Sequence, residues 1–311
     1  MGPEITVVVP THNRRDLLQL TLRTILGQRN VELEVVVVDD GSTDDTAKVV
    51  AGIGDSRVRL VRHDTPQGVS AARNRGIAEA SGAWVAFVDD DDLWAPDKLA
   101  RQLEAAHDTG RAWAYAGAVK VDAAQRLNGG GRPPPEPEEL MARITRWNPM
   151  PGGCSNVIAS SALLCRAGPF DRQLVNLADW DLWIRMAQAG GRPAMVSSPL
   201  VGYRQHAGNR SLDTALILRE ARVIERRYGT ALDWGGIFRY LAWLCVRSGR
   251  RREALWHFAR AAVRGQAPSV ATDLAGLARN RLAVPTLDRS RPRERREWRT
   301  EAEAWLASLR S

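Results

Sequence analysis

The stretch Gly68–Trp94, GVSAARNRGIAEASGAWVAFVDDDDLW, decides the fold. Its first half has helical period, carried by Ala71, Ala72, Ile77 and Ala78. Trp84–Val88 is then a short, unbroken apolar run, the pattern of a strand covered on both faces, and it runs straight into four aspartates. Working outward, three runs of the same kind come earlier, at Ile5–Val9, Leu33–Val38 and Val58–Val61. A segment of helical period, with Leu17, Leu18, Leu22, Ile25 and Leu26, separates the first two. Alternation of strand and helix over about 110 residues predicts an α/β fold with a mostly parallel, doubly wound sheet. In such a sheet the chemistry sits on loops beyond the carboxyl ends of the strands. Those loops are Pro10–Arg14 (PTHNR), Asp39–Thr46 (DDGSTDDT) and Asp89–Trp94 (DDDDLW).

The first loop contains no glycine. A dinucleotide fold needs glycine there, so that backbone can approach a pyrophosphate, and a Walker loop fails for the same reason. The third loop carries Asp89, Asp90, Asp91 and Asp92 in succession. Adjacent carboxylates repel, and a cation or solvent must relieve them. Oxygen ligands suit Mn²⁺ or Mg²⁺, which typically take one or two carboxylates plus the phosphates of a nucleotide. The alternative is a solvated acidic turn capping a helix that begins near Pro96.

These strings, PTHNR, VVVVDDGSTDDT, GVSAARNRGIAEASGAWVAFVDDDDLW, GPFD, LADWDLWIRMAQAG and YRQHAGNRS, stand in the order and spacing of a known family. Over about residues 4–212 the chain resembles the inverting family 2 glycosyltransferases of GT-A fold. The resemblance implies a single nucleotide-binding α/β domain whose later part forms the acceptor site. It also implies transfer of a sugar from a nucleotide-diphosphate donor, with inversion.

Carried over residue by residue, the resemblance puts Pro10, Thr11 and Asn13 against the nucleoside and Asp39 on the base, most often uracil. A carboxylate accepts the N3 proton of uracil or thymine, which makes UDP- or dTDP-sugars the favoured donors. Thr11 and Asn13 could instead cap the helix starting near Arg15. Asp40 would hold the loop or the ribose, and Gly68, Arg73 and Asn74 belong to the segment that closes over the nucleotide. The metal motif falls on Asp89 and Asp91, with Asp90 between them on the nucleotide side. Asp91 would bind the cation directly, and Asp89 the ribose or the metal. Asp92 would be structural, capping the following helix. The general base is implied at Asp179, with Ala178 standing where the family usually has Glu, and Asp181 is the competing carboxylate on another face of the helix. His206 is implied as a ligand to metal or phosphate, and Arg204 as a diphosphate contact. Ser155, Asn156 and Trp180 are acceptor-pocket candidates, with Trp180 open to a core reading instead.

The chain divides accordingly into a GT-A domain at 1–212 and a helical extension at 213–311. Within the domain, 1–122 is the nucleotide-sugar half, 123–149 a flexible loop containing the Gly/Pro stretch Asn128–Glu139, and 150–212 the acceptor half, with a helix over Asp179–Ala189. In the extension, Ile237–Val246 and Arg252–Val263 read as one helical hairpin, with Trp243, Leu244, Leu255, Trp256 and Phe258 facing each other or the body. At 311 residues, 44% hydrophobic and 26% charged, the chain suits one large core plus such an appendage. Its +8 charge is uneven: residues 1–212 carry 24 basic and 25 acidic groups, whereas Asp213–Ser311 carry 20 arginines against 11 acids. No nucleic-acid partner is expected, because no aromatic-interleaved sheet or zinc spacing accompanies the Arg289–Arg299 run. The open alternatives for that charge are solubility and a membrane-surface or protein contact. Three cysteines and no apolar run of spanning length lead to the expectation of a reducing, cytoplasmic location, with peripheral attachment at the inner membrane face as its variant. A sugar-nucleotide nucleotidyltransferase and a non-catalytic sugar- or nucleic-acid-binding module are the competing functions; the glycine-free first loop speaks against the former.

Overall fold

A computed structural model of the chain describes residues 2–128, 133–206, 213–278 and 292–310, the last with side chains from residue 296. The described strands are β1 (Ile5–Thr11), β2 (Leu33–Asp39), β3 (Val58–Arg62), β4 (Trp84–Phe87), β5 (Leu93–Trp94), β6 (Trp113–Val121), β7 (Ile158–Ser160) and β8 (Ala194–Arg204). They form one mixed sheet in the order β3-β2-β1-β4-β7-β6-β8-β5. Around it lie α1 (Arg15–Leu26), α2 (Thr46–Ala51), α3 (Val69–Ala78), α4 (Lys98–Thr109), α5 (Pro137–Arg143), α6 (Ser161–Ala167) and α7 (Ala178–Gly190). The C-terminal part adds α8 (Thr214–Tyr228), α9 (Trp234–Arg247), α10 (Arg251–Ala261), α11 (Ala267–Ala278) and α12 (Pro292–Ser308).

Every residue of β1 is buried, Thr6 and Thr11 included, as its largely apolar run predicts. Side chains alternate across the sheet: Val7 and Val9 pack with Leu18, Leu22 and Ile25 of α1, while Val8 joins Phe87 and the α7 side. On α1, Leu18, Leu22 and Ile25 recur at helical spacing, and burying each stabilises the fold by roughly 1.5–3 kcal/mol. Helix α3 comes so close to β1 that a Cβ on Gly76 would stand 2.2 Å from Val8 Cγ1. Glycine is therefore required there by proximity.

The parallel half, β3-β2-β1-β4, sets the site. Its register levels Thr11 with Asp39 and Val8 with Phe87, so the loops after β1, β2 and β4 open on one edge. Beyond β4 the pairing turns antiparallel through β7 and β6, and β8 then runs parallel to β6.

Two expectations change. The Gly/Pro stretch is not wholly without structure: its residues 129–132 lie outside the described ones, and Pro137–Glu139 open α5. Proline is preorganised for a first helical turn, and Glu138 and Glu139 complement the positive end of the helix. In the α9–α10 hairpin, Trp243, Leu244 and Phe258 are buried, but Leu255 and Trp256 are 60% and 50% exposed. The boundary expected after Leu212 falls outside the described residues. From Thr214 on, Ile217, Ala221 and Ile224 of α8 and Leu241 of α9 continue the apolar cluster built on Phe87 and Trp183. At the other end, Trp298 and Trp305 of α12 lie on the β8 edge, their indole N–H groups donating to the carbonyls of Ser197 and Pro199 at 2.8 Å. Among the described residues no helix is long and apolar enough to cross a membrane.

Candidate active site

Three loops and one helix end meet at the open edge. After β1, Asn13 adopts left-handed backbone, φ +53°. Its Oδ1 accepts from Thr43 N–H at 2.8 Å, and its own N–H donates to Ser42 Oγ at 2.9 Å. Asn13 thus stitches the first loop to the second; α1 is preceded by Arg14 without a side-chain cap, so Asn13 does not cap it. Thr11 Oγ1 donates to Asp90 Oδ2 at 2.7 Å. Burial, reinforced by Asp91, pushes the Asp90 carboxyl up to about 7, against this hydrogen bond. Pro10, buried in β1, is level with Val38.

Asp39 is fully buried. Its Oδ1 accepts from Ser42 N–H at 2.9 Å, while Oδ2 has no hydrogen-bond partner and stands 3.3 Å from Arg62 Nη1. Asp40 is occupied by the loop: it accepts from His63 Nδ1 and from the N–H groups of Gln67 and Gly68 at 2.8–2.9 Å. Burial raises its pKa, but these bonds outweigh burial and hold the carboxyl below the usual range. Gly68 carries the turn at φ +94°.

From α3, Arg73 is buried and its Nη2 meets Asp89 Oδ1 at 2.5 Å, with the guanidinium 5.3 Å from the Phe170 ring centroid. Its Nε is buried without a partner. Asn74 turns away: both ends of its amide bond the Phe170 backbone, at 2.8 and 2.9 Å, so it staples α3 to the loop before α7 and is not presented to a nucleotide.

The acid loop divides by role. Asp91 Oδ2 lies 2.8 Å from His206 Nε2 and 3.7 Å from Arg14 Nη1. Asp92 is fully buried; it accepts from Ser155 Oγ at 2.5 Å and from Arg204 N–H at 3.0 Å. Burial, with repulsion from Asp91 and Asp89, pushes its carboxyl well above the usual range. Asp92 does not cap the following helix, since α4 starts at Lys98, preceded by Asp97; it is tied to Ser155 and Arg204 instead. Arg204 differs from expectation as well. Its guanidinium is buried against the carbonyls of Asp91 and Leu17 and the Thr21 hydroxyl, which makes it a brace beneath the acid loop. Arg14, in the first loop, is the cation that meets Asp91 at the cleft, and its place within PTHNR was the available signal.

Ser155 and Asn156 are also interior. Ser155 Oγ accepts from Asp89 N–H at 3.0 Å while donating to Asp92, and Asn156 bonds Ala116 on both sides of its amide. They shape the floor under Asp89 and do not face an acceptor. Trp180 likewise belongs to the core, with its indole N–H bonded to the Ile144 carbonyl.

Asp179 stands half-buried in the first turn of α7, where its Oδ1 accepts the Trp180 N–H at 2.6 Å. A side chain on Gly153 would reach within 3.5 Å of its Oδ2, which puts the carboxylate beside the 153–156 segment. Burial pushes its pKa up to about 6, against Arg73 and the Trp180 N–H. Asp181 is fully buried and ion-paired with Arg185 and Arg227 at 2.9 and 2.7 Å. It has no free face for chemistry.

Among the described residues, no three His, Cys, Asp or Glu side chains gather as a ready metal cage. Asp91 and His206 nonetheless form an oxygen–imidazole pair that fits Mn²⁺ or Mg²⁺, provided substrate phosphates complete the shell. The rest of the YRQHAGNRS motif, from residue 207, lies outside the described residues.

Comparison with known proteins bears on the family and the fold. The family model "Glycosyl transferase family 2" matches residues 6–167. The chain is 25% identical over 224 residues to an Escherichia coli UDP-Glc:alpha-D-GlcNAc-diphosphoundecaprenol beta-1,3-glucosyltransferase, covering 71% of this chain and 85% of that one. It is 44% identical over 108 residues to the succinoglycan biosynthesis protein ExoO of Rhizobium meliloti, covering 35% of this chain and 31% of the relative. For a putative teichuronic acid biosynthesis glycosyltransferase of Bacillus subtilis, identity is 35% over 37% of this chain and 46% of the relative. The matches to these last two thus span less than half of each relative. Among solved structures, Staphylococcus aureus TarS 1–349 with UDP-GlcNAc aligns over 100% of this chain and 90% of its own, with TM-score 0.60 and 20% identity. A Pyrobaculum calidifontis mannosyltransferase with GDP-Man and Mn²⁺ aligns over 99% and 86%, with TM-score 0.53 and 23% identity. These likenesses show the GT-A fold. With more than half of its 311 residues matched by the family model, the chain belongs to glycosyl transferase family 2.

Proposed function

We propose that the chain transfers a sugar from a nucleotide-diphosphate donor, with UDP- or dTDP-sugars favoured, to an acceptor hydroxyl, with inversion and divalent-metal assistance. The observation that carries this reading is the buried Oδ2 of Asp39, which accepts no hydrogen bond and has only the Arg62 guanidinium 3.3 Å away, at the edge that also presents the acid loop. A buried acceptor without a hydrogen bond is costly, and the N3–H of uracil or thymine would supply one. Asp91 and His206 would hold the cation, which when bound neutralises charge on the departing nucleotide. Arg14, at the same cleft, would face the diphosphate, and Asp89, now paired with Arg73, would turn to the ribose or the metal.

On the acceptor side, Asp179 takes the proton of the attacking hydroxyl. The hydroxyl oxygen bonds to the anomeric carbon as the bond from that carbon to the phosphate oxygen breaks, and the electron pair leaves with the nucleotide diphosphate. A single displacement from the face opposite the leaving group inverts the centre. A carboxylate held near pH 6 is still ionised at neutral pH and is a stronger base than an ordinary aspartate.

The names of the relatives support a lipid-linked glycan or surface polysaccharide as acceptor. A basic, half-apolar face supports contact with an anionic membrane surface bearing it: Leu255, Trp256 and Val263 are exposed, and the guanidinium of Arg260 lies 4.6 Å from the Trp256 ring centroid. The deciding experiment is binding and slow hydrolysis of UDP-, dTDP- and GDP-sugars in Mn²⁺. Selective binding of a uracil or thymine donor is expected; binding of none of the three removes the reading.

A further inference from the structure

The resemblance expects Glu at position 178, and this chain has a fully buried Ala178 there, so that position supplies no carboxylate. We propose that Glu220, delivered from α8, is the positioning residue for Asp179. This rests on the reading of Asp179 as the base.

Glu220 is 3% exposed. Its Oε1 accepts from Val175 N–H, and its Oε2 from the N–H groups of Asn176 and Leu177, all at 2.9 Å. These are the three residues immediately before α7, and Leu177, which caps the helix, contributes no side-chain hydrogen bond to it. Backbone donors at a helix start need partners, and charge-assisted bonds are the strong ones. One buried carboxylate with three such bonds fixes the path of the chain into the first turn, where Asp179 stands.

The same helix grips the other side of the base. Arg227 Nη1 and the Tyr228 hydroxyl both bond Asp181 Oδ1, at 2.7 and 2.8 Å, and Arg185 holds Oδ2. Asp179 is therefore clamped between two segments tied to α8, residues 175–177 and residue 181. A base displaced by about 1 Å can lose 10²-fold in rate, so such a clamp bears on turnover and leaves the donor loops untouched.

The test is a double-mutant cycle read as hydrolysis of UDP-glucose and of UDP-GlcNAc with Mn²⁺, together with UDP binding by calorimetry. Glu220→Gln and Glu220→Ala are expected to lower turnover about 10- to 100-fold while UDP affinity stays within about twofold. In Asp179→Asn/Glu220→Gln the rate is expected to match Asp179→Asn within about threefold, because a residue acting through Asp179 has nothing left to position. A merely stabilising Glu220 predicts losses that multiply, and multiplying losses overturn the proposal; so does wild-type turnover in Glu220→Gln. Glu220→Gln is close to isosteric, so it carries the cycle if Glu220→Ala fails to fold. If Asp179→Asn alone keeps full turnover, the base reading itself is lost, and with it this one.

Discussion

The donor loops and the base helix are fixed by different means. On the donor side, the ladder of β3-β2-β1-β4 levels Thr11 with Asp39, and short bonds such as Asn13 to Ser42 and Thr43 tie neighbouring loops. The sheet sets the level of these loops. On the acceptor side, α7 and the residues leading into it are held by side chains from α8, 43 to 47 residues further along the chain: the buried Glu220 on residues 175–177, and Arg227 and Tyr228 on the buried Asp181. On the proposed reading the donor loops after β1, β2 and β4 fall within the family match, which ends at residue 167, whereas Asp179 and α8 lie beyond it, as does His206 beside Asp91.

Removing the base should separate the two sides most sharply. Asp179→Asn is expected to slow transfer about 10²- to 10⁴-fold while nucleotide binding persists. The pH profile sharpens this. Asp179 accepts a proton only when ionised, so turnover of the wild type should be present above pH 6 and fall as pH drops through about 6, near its raised value. An acid limb near the ordinary aspartate value, or equal damage from Asp181→Asn, would assign the base elsewhere.

Chelation should act on the opposite side. EDTA is expected to abolish turnover, and Asp91→Asn to reduce it; a metal worth several kcal/mol corresponds to at least about 10²-fold. Full turnover in chelator would break the pairing of Asp91 and His206 as a metal site. Loss of turnover with unchanged pH dependence would confirm that the two sides fail independently.

What could be read in advance follows the same division. The parallel strands were legible because each is a mostly apolar, β-branched run, broken only by single residues such as Glu34 and Arg59, and the loops after β2 and β4 because aspartates follow those strands directly. The strands run slightly past the apolar residues, as at Thr11 and Asp39, because backbone pairing continues into polar positions. Beyond them the signal is weaker: the apolar run of β6, Trp113–Val119, is mostly alanine and glycine rather than β-branched residues, β7 is three residues long, and β8 contains Ser197, Ser198 and Pro199. At the site, Asp39, Asp91, His206 and Asp179 lie on the cleft loops or on the helix turn beside them. Arg204, Ser155, Asn156 and Asn74 were given ligand-facing roles, but their polar ends are turned onto backbone and onto Asp92. A motif preserves such braces as well as ligands, and only the direction of the side chain tells them apart. Glu220 had no sequence signal, because its partners are backbone N–H groups far along the chain.

The smallest expected effect concerns where the extension meets its surroundings. The apolar side of α10 and of the segment after it is only partly covered: Leu255 is 60% exposed and Val263 82%, beside arginines that lie over Trp256 and Phe238. A face combining aromatic, aliphatic and basic groups without length enough to span is suited to the headgroup region of an anionic bilayer. Each basic group near such a surface contributes about 1 kcal/mol, falling off within a Debye length. The double substitution Trp256→Ala/Arg264→Gln should therefore lower flotation with phosphatidylglycerol vesicles about tenfold at low salt, and leave UDP affinity unchanged. High salt should weaken the wild type toward the variant. Equal flotation of both proteins at low salt would leave this face without a membrane role, while the clamp of α8 on Asp179 would stand, since none of its bonds involves α10.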